Sequence, residues 1–205
     1  MAVERRSESP GQRPQPGGRR ETILRCALAV VAENGIGGLR MRDLAQRVGV
    51  SHPSLHHHFA TKGDLLAAVV DYALDHEILT GIELDPASAD PVGDLVRVLE
   101  VTHERFASRP DIGVVLGELI RQSRTDPLLA ARLGDRHAAW RSVTEVALQR
   151  AVHMGRLPSG FDVEAVTDLL LAAITGWSTW PSQDTPPPSM RAIRALLTPA
   201  SSTGH

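Results

Sequence analysis

The sequence holds a single cysteine, and none of its apolar runs reaches the ~18 residues that a membrane-spanning helix needs. Because Cys26 has no second cysteine to pair with, an internal disulfide is excluded and nothing favours an extracellular compartment. The first residues are rich in Arg, Pro and Gly rather than apolar, unlike a secretory signal peptide. These absences predict a soluble, cytoplasmic protein that does not contact a membrane.

The sequence also lacks the short motifs of the common enzyme classes. It contains no glycine-rich phosphate loop, no Gly-x-Ser-x-Gly elbow and no His-Glu-x-x-His zinc motif. The acids Asp162 and Glu164 lie at i, i+2, so their carboxylates do not face one another on a helix. We therefore expect no enzymatic activity and no cofactor.

Charge is divided unevenly along the chain, although the whole chain carries only −2. Residues 1–62 hold ten Lys and Arg against five Asp and Glu, a net of +5. Residues 63–205 hold twelve against nineteen, a net of −7. A basic segment joined to an acidic one suits a nucleic-acid-binding unit attached to a body that does not bind nucleic acid.

Apolar residues recur at helical spacing between Gly and Pro breaks, and no convincing strand pattern is present. We predict an all-α fold of about nine helices, at residues 18–34, 41–48, 51–59, 61–79, 90–108, 111–123, 127–154, 162–179 and 189–198. We expect residues 1–17 to be a disordered basic tail and residues 201–205 a second disordered tail. Between them lie residues 18–62, here called the head, and residues 63–200, here called the body.

The segment LRMRDLAQRVGVSHPSLHHHFATK, residues 39–62, predicts a helix-turn-helix. Ser51 suits an N-cap, Pro53 is tolerated in a first helical turn, and Thr61 with Asp64 matches a capping box. The apolar residues that would lock the two helices together are Leu44, Ala45, Val48, Val50, Leu55 and Phe59. The short or polar residues left outside, which can meet bases or phosphates, are Ser51, His52, Pro53, Ser54, His56 and His57.

The stretch GLRMRDLAQRVGVSHPSLHHHF resembles the DNA-binding head of the TetR family, over roughly residues 19–75. The resemblance implies a dimeric transcription repressor that binds double-stranded operator DNA and is released by a small-molecule effector. Lys62 corresponds to the family's phosphate contact, whereas His56 stands where the family usually has Tyr. Arg40 and Met41 stand where Thr or Ser commonly caps the second helix. The predicted DNA-binding residues are Arg42, Ser51, His52, Pro53, Ser54, His56, His57 and Lys62.

Two alternatives belong to other classes of protein. His52 and His56 lie at i, i+4 and could form a metal pair, but there is no obvious third ligand at helical spacing. We therefore predict no metal, with His58 partly buried and structural. A helical protein–protein interaction module without specific DNA binding is the second alternative, and binding to a specific operator would separate it from a regulator.

The resemblance extends to the body only as architecture, in which the last two long helices pair with a second copy of the chain. The apolar stripes expected at this dimer interface are Val163, Val166, Leu169, Leu170 and Ala173, followed by Ile193, Leu196 and Leu197. An effector pocket is implied between the helices of residues 90–179. Its predicted ligand-binding residues are His103, Phe106, Glu118, Arg121, His137, Trp140 and Trp177, with Trp180 as a further candidate.

Overall fold

The computed structural model describes residues 18–78, 84–85, 87–179 and 190–197. Within these residues there are nine α-helices and one π-helical segment, and no strand. The all-α prediction is therefore confirmed. The tails at 1–17 and 201–205, together with Trp180, lie outside the described residues. The helices are α1 (Arg19–Gly38), α2 (Met41–Val48), α3 (His52–His58), α4 (Lys62–Tyr72), α5 (Pro91–Ser108), α6 (Pro110–Ser123), α7 (Pro127–His153), α8 (Val163–Thr179) and α9 (Met190–Leu197).

Local side-chain chemistry sets most helix starts. Asp90 and Asp126 accept hydrogen bonds from backbone N–H groups three residues ahead, at 3.1 Å in each case, and each precedes a proline. A proline in the first helical turn removes an N–H that has no helical partner. The helix starts expected at 90 and 127 are therefore found within one residue. Arg40 precedes α2 without a side-chain cap, as expected for an Arg at that position.

The first helix departs from the predicted end at Asn34. Gly35 has φ 66°, a left-handed conformation that glycine adopts without a steric penalty. Helical turns resume after it as far as Gly38, and the Leu39 N–H donates to the Ile36 carbonyl at 3.2 Å. The glycine therefore introduces a kink directly after the predicted helix end, and a short helical turn follows it.

The fourth helix was expected to continue as a regular α-helix to about residue 79, and this was wrong. It becomes a π-helix over Ala73–Ile78. The Arg105 guanidinium donates to the Ile78 carbonyl, and Arg109 Nη1 contacts Glu77 Oε2 at 2.7 Å. The Tyr72 and His76 rings stack with centroids 4.9 Å apart. Contacts from α5 and the loop after it thus hold the widened turn in place.

Head and body share one hydrophobic core. The helix α1 packs against α2, α4 and α6, while α4 also packs against α7. Ile23 of α1, Leu65 of α4, Ile112 and Leu119 of α6, and Leu148 of α7 are all fully buried. Burial of such side chains contributes about 1.5–3 kcal/mol each to folding. Head and body are therefore in direct contact through packed side chains.

The apolar stripe expected at the dimer interface lies largely inside the protomer. Leu170 is 1% exposed, and Val166 and Ala173 are also buried. Leu169, by contrast, is 54% exposed, and Ala172 lies exposed three residues further along the same helix. The part of the expectation that assigned Leu170 to a partner is wrong, because this side chain already packs in the core of its own chain.

No helix among the described residues is both long enough and apolar enough to cross a bilayer.

Candidate nucleic-acid interface

The inner side of the helix-turn-helix is closely packed. Leu44, Ala45, Leu55 and Phe59 are buried to 2% exposure or less, and Val48 and Val50 pack against the same core. The Arg20 guanidinium lies over the Phe59 ring, 5.1 Å from its centroid. The inward-facing residues predicted from the sequence are therefore found there. Packing on this side fixes the angle at which α3 leaves α2.

The turn between the two helices depends on one glycine and one serine. Gly49 has φ 73°, and its N–H donates to the Gln46 carbonyl while the Val50 N–H donates to the Ala45 carbonyl. This pattern closes the end of α2. Ser51 Oγ then accepts the Ser54 N–H at 3.2 Å, which starts α3 as predicted. The second helix is thereby held at a fixed position on the surface.

The outer face of α3 is polar and open to solvent. Ser51, His52, Pro53, His56 and His57 are exposed. Ser54 is half-buried, with its backbone N–H already bound to Ser51. Arg42, one helix earlier, is also exposed. Seven of the eight predicted DNA-binding residues thus lie on α2, α3 or the α3 cap, on the solvent-facing side of a rigid pair of helices.

The His56 ring is hydrogen-bonded to a backbone carbonyl four residues further along the chain. Its Nδ1 lies 3.0 Å from the Ala60 carbonyl oxygen, which can only accept, so Nδ1 must carry the proton. In the neutral ring, Nε2 is then an acceptor that points away from this bond. A neutral His56 can accept a hydrogen bond from a base, but it cannot donate one to a phosphate. In the sequence, only the four-residue spacing between His56 and Ala60 is compatible with such a bond.

Lys62 lies at the start of α4, beside the kinked end of α1. Its Nζ donates to the Ile36 carbonyl at 2.6 Å, and burial lowers the pKa of its ammonium group. An ammonium has three N–H donors, so two are left for other acceptors. The predicted phosphate contact therefore also closes the end of α1, a role that the sequence did not indicate.

An ion pair that was not predicted from the sequence connects α1 and α2 within the head. Arg47 of α2 contacts Glu33 of α1 through two hydrogen bonds, at 2.9 and 3.0 Å. The bonds lower the pKa of Glu33 and raise that of Arg47. Both side chains are exposed, and exposed ion pairs add little stability. The two hydrogen bonds nevertheless fix the orientation of the Arg47 guanidinium relative to the Glu33 carboxylate. The Arg47 guanidinium is therefore bound to Glu33, whereas the Arg42 side chain is exposed to solvent.

Two of the predicted effector residues lie at the junction between body and head. Glu118 and Arg121 of α6 form a double hydrogen bond, at 2.9 and 2.6 Å. This bond, together with one from the Ile36 backbone, lowers the pKa of Glu118. The carboxylate also lies 3.5 Å from where a Cβ would stand on Gly35. This pair contacts the kink of α1.

The other predicted effector residues lie on α5, α7 and α8 of the body. The His103 and Trp177 rings meet edge to face with centroids 5.0 Å apart, and Trp177 and Phe106 are buried in the core. Trp140 is half-buried and His137 exposed, both on α7. The structure therefore brings His103 and Trp177 into contact, and the effector site built from the seven residues stays a prediction.

A cavity of about 250 Å³ opens elsewhere, between the segment before α5, the start of α5 and the second half of α7. It is lined by Leu84, Asp85, Pro91, Asp94, Ser142, Val143, Val146, Ala147 and Arg150. None of the seven predicted effector residues lines it. The sequence could not have revealed it, because Val143 and Val146 read as ordinary positions on a long helix.

Comparison with known proteins gives two matching family models. The model described as bacterial regulatory proteins, tetR family, matches residues 23–69. The model described as tetracyclin repressor-like, C-terminal domain, matches residues 85–198. The first covers the helix-turn-helix, and the second covers most of the body.

Individual proteins show the same likeness. The transcriptional repressor AcnR of Corynebacterium glutamicum is 27% identical over 80% of this chain and 81% of its own. A TetR-family regulator from a Rhodococcus species superposes with a TM-score of 0.67 at 25% identity, over 87% of this chain and 94% of its own. AibR, solved with isovaleryl coenzyme A and operator DNA, superposes at 0.63 with 19% identity, over 89% of this chain and 99% of its own.

The rigid helix-turn-helix, its polar outer face and the two matched models agree with one another. The chain is a DNA-binding transcriptional regulator and belongs to the tetR family of bacterial regulatory proteins.

Proposed function

We propose that this protein is a dimeric repressor that binds an operator through α3 and is released from it by a small apolar effector. The observation that carries the proposal is the outer face of α3, where polar side chains stand exposed on a helix braced from behind by Leu55 and Phe59. A recognition helix must keep a fixed position while its side chains contact base edges. The relative AcnR is named as a repressor, which supports repression rather than activation by this protein.

Within the interface we assign two kinds of contact. His52, Pro53 and Ser54 lie in the first turn of α3, the part of a recognition helix that reaches base edges. Arg42 and Lys62 carry positive charge on either side of α3 and would meet the phosphate backbone. Phosphate contacts position the protein, and base contacts specify the sequence. Because the operator DNA of bacteria lies in the cytoplasm, we place the protein in the cytoplasm as well.

A second copy is proposed to cover the exposed face of α8. Ala165, Leu169 and Ala172 lie at i, i+4 and i+7 and are all exposed. Two-fold pairing would present two α3 helices to two half-sites one helical turn apart. A single helix-turn-helix contacts too few bases for tight specific binding.

We assign the effector to the cavity between α5 and α7. Its charged groups are already engaged: Asp94 pairs with Arg97, Arg150 donates to the Ser88 carbonyl, and Asp85 accepts the Ala87 N–H. The remaining lining is mainly aliphatic. The volume of about 250 Å³ equals the share of roughly eight water molecules in the liquid. A compact, largely apolar and uncharged molecule fits these properties.

A route from this cavity to the head is available through α7 and α4. Arg132 of α7 binds both carboxylate oxygens of Asp71 on α4, at 2.6 to 3.0 Å, and Arg136 pairs with Asp75 one turn further on. A ligand that shifts α7 would pull α4, whose N-terminus carries Lys62. Release requires that the effector bind the shifted arrangement more tightly than the DNA-bound one.

The experiment selects fragments of the source genome that bind the protein and then measures release by small apolar compounds. We expect enrichment of a nearly palindromic sequence and release by some compounds. The variant Val146→Trp fills the cavity on an exposed site and should abolish release while leaving operator affinity unchanged. No enriched fragment would favour the protein–protein module instead. Release that is equal in wild type and Val146→Trp would exclude this cavity.

A further inference from the structure

The outer face of α3 carries two histidines whose rings lie close to each other as well as facing the predicted DNA surface. His52 and His56 are one helical turn apart and both exposed. Their ring centroids are 4.5 Å apart, with the planes at 75°. Two nitrogens that bind one Zn²⁺ at ~2.0–2.1 Å in tetrahedral geometry lie about 3.3 Å from each other. Rings at this separation can bring their nitrogens together with small rotations.

A second observation concerns the far side of the His56 ring. Its Nδ1–H donates to the Ala60 carbonyl at 3.0 Å, which leaves Nε2 unprotonated and directed away from this bond. Histidines that bind metals usually donate their other ring N–H to a carbonyl or carboxylate, which fixes the ring and the tautomer. The bond to Ala60 supplies this arrangement before any ion is present.

We propose that His52 and His56 bind one divalent ion of the Zn²⁺, Ni²⁺ and Cu²⁺ class, with water completing the coordination shell. Imidazole nitrogen suits these ions, whereas Mg²⁺ and Ca²⁺ prefer oxygen. Among the described residues, no group of three or more His, Cys, Asp or Glu could hold a metal, so the site has two protein ligands. His57 is excluded because it follows His56 directly and so does not share the helix face of His52 and His56; its ring lies beside His58 instead, with centroids 6.0 Å apart.

The ion would occupy the surface that reads DNA. His52 lies in the first turn of α3, and a hydrated ion on it takes the space that a base edge needs. Metal and operator therefore compete for the same face. By linkage, the factor by which metal weakens operator binding equals the factor by which operator weakens metal binding.

The first test measures Ni²⁺ binding to the untagged full-length protein by calorimetry at pH 7.5, and Cu²⁺ coordination by electron paramagnetic resonance. We expect one ion per protomer, two nitrogen ligands, and the tighter binding of Cu²⁺ that the Irving–Williams order requires. His52→Gln and His56→Gln should each weaken Ni²⁺ binding by about tenfold or more, whereas His57→Gln should not. Equal loss in all three variants, or no loss in any, would overturn the site.

The second test adds Ni²⁺ to the complex with the selected genomic fragment. Wild type and His153→Gln, a variant outside the predicted DNA-binding residues, should release the fragment as the site fills. The fragment affinity of His56→Gln, compared with its own metal-free value, should not change at the same Ni²⁺ concentrations. Thermal melting of each variant without metal controls for misfolding, since all of these side chains are exposed. Release from His56→Gln equal to wild type would overturn the competition, whether or not the first test succeeds.

Discussion

At the scale of single residues, Lys62 serves two partners with one ammonium group. It holds the Ile36 carbonyl at the end of α1 and has two donors left for a phosphate. The bond spans 26 residues of sequence, so no local pattern could have revealed it. The resemblance to the TetR family indicated the phosphate contact, and the structure adds the reason why this lysine is held at the edge of the interface.

Lys62→Ala should weaken binding to all DNA sequences alike, because a phosphate contact carries no sequence information. The slope of log K against log salt should fall by about one unit per half-site. Loss of the bond to Ile36 should also lower the free energy of unfolding by about 0.5–1.5 kcal/mol. Titrations at several salt concentrations measure the slope, with Lys62→Arg as the charge-preserving control. An unchanged slope in the alanine variant would remove Lys62 from the phosphate contacts.

At the scale of helices, most boundaries could be predicted because they depend on neighbouring residues. Ser51 and Thr61 act within three positions of themselves, and the structure has both in the expected roles; Gly49 ends α2 in the same local way. The π-helix after Tyr72 could not be predicted, because the groups that hold it come from α5 and the loop that follows α5. The choice between Leu169 and Leu170 also needed the structure, since helical spacing identifies an apolar face but not what covers it.

The capping box at the start of α4 gives a test of local stability. Thr61 Oγ1 accepts the Asp64 N–H at 3.0 Å, and the Asp64 carboxylate accepts the Thr61 N–H at 2.9 Å. Thr61→Ala removes the first of these bonds and should lower the free energy of unfolding by about 0.5–2 kcal/mol. Thr61→Ser keeps the hydroxyl and should cost much less. Urea denaturation of the three proteins measures both values, and equal stability of Ala and Ser variants would deny the cap any role.

The helix α8 gives the matching test of assembly. Leu169→Asp places a charge on an exposed face and should yield folded monomers that bind the operator poorly. Leu170→Asp places the same charge in the core, at a site 1% exposed, and should unfold the protein instead. Sedimentation gives the oligomeric state and circular dichroism the fold. A wild type that sediments as a monomer at micromolar concentration would contradict the proposed dimer.

At the scale of the whole molecule, the head is basic and the body acidic, yet they are not independent units. Buried side chains of α1, α4 and α6 join them in one core, and Glu118 of α6 reaches the kink of α1 beside Ile36. The sequence predicted the inward-packed residues and the helix caps of the head because its motif is compact. It did not predict the cavity or the junction, because both depend on helices that are distant in sequence and meet only after folding.

The most direct test of the account is a randomised-operator selection with wild type and with His52→Ala. If α3 reads the bases, the wild type should enrich a two-fold symmetric consensus. The variant should relax the preference at matching positions of both half-sites, at a cost of about 1–3 kcal/mol per lost base contact. His153→Ala, an exposed histidine at the far end of α7, should return the wild-type consensus. The same consensus for wild type and His52→Ala, or no enrichment with either, would contradict the assignment of α3 as the reading helix.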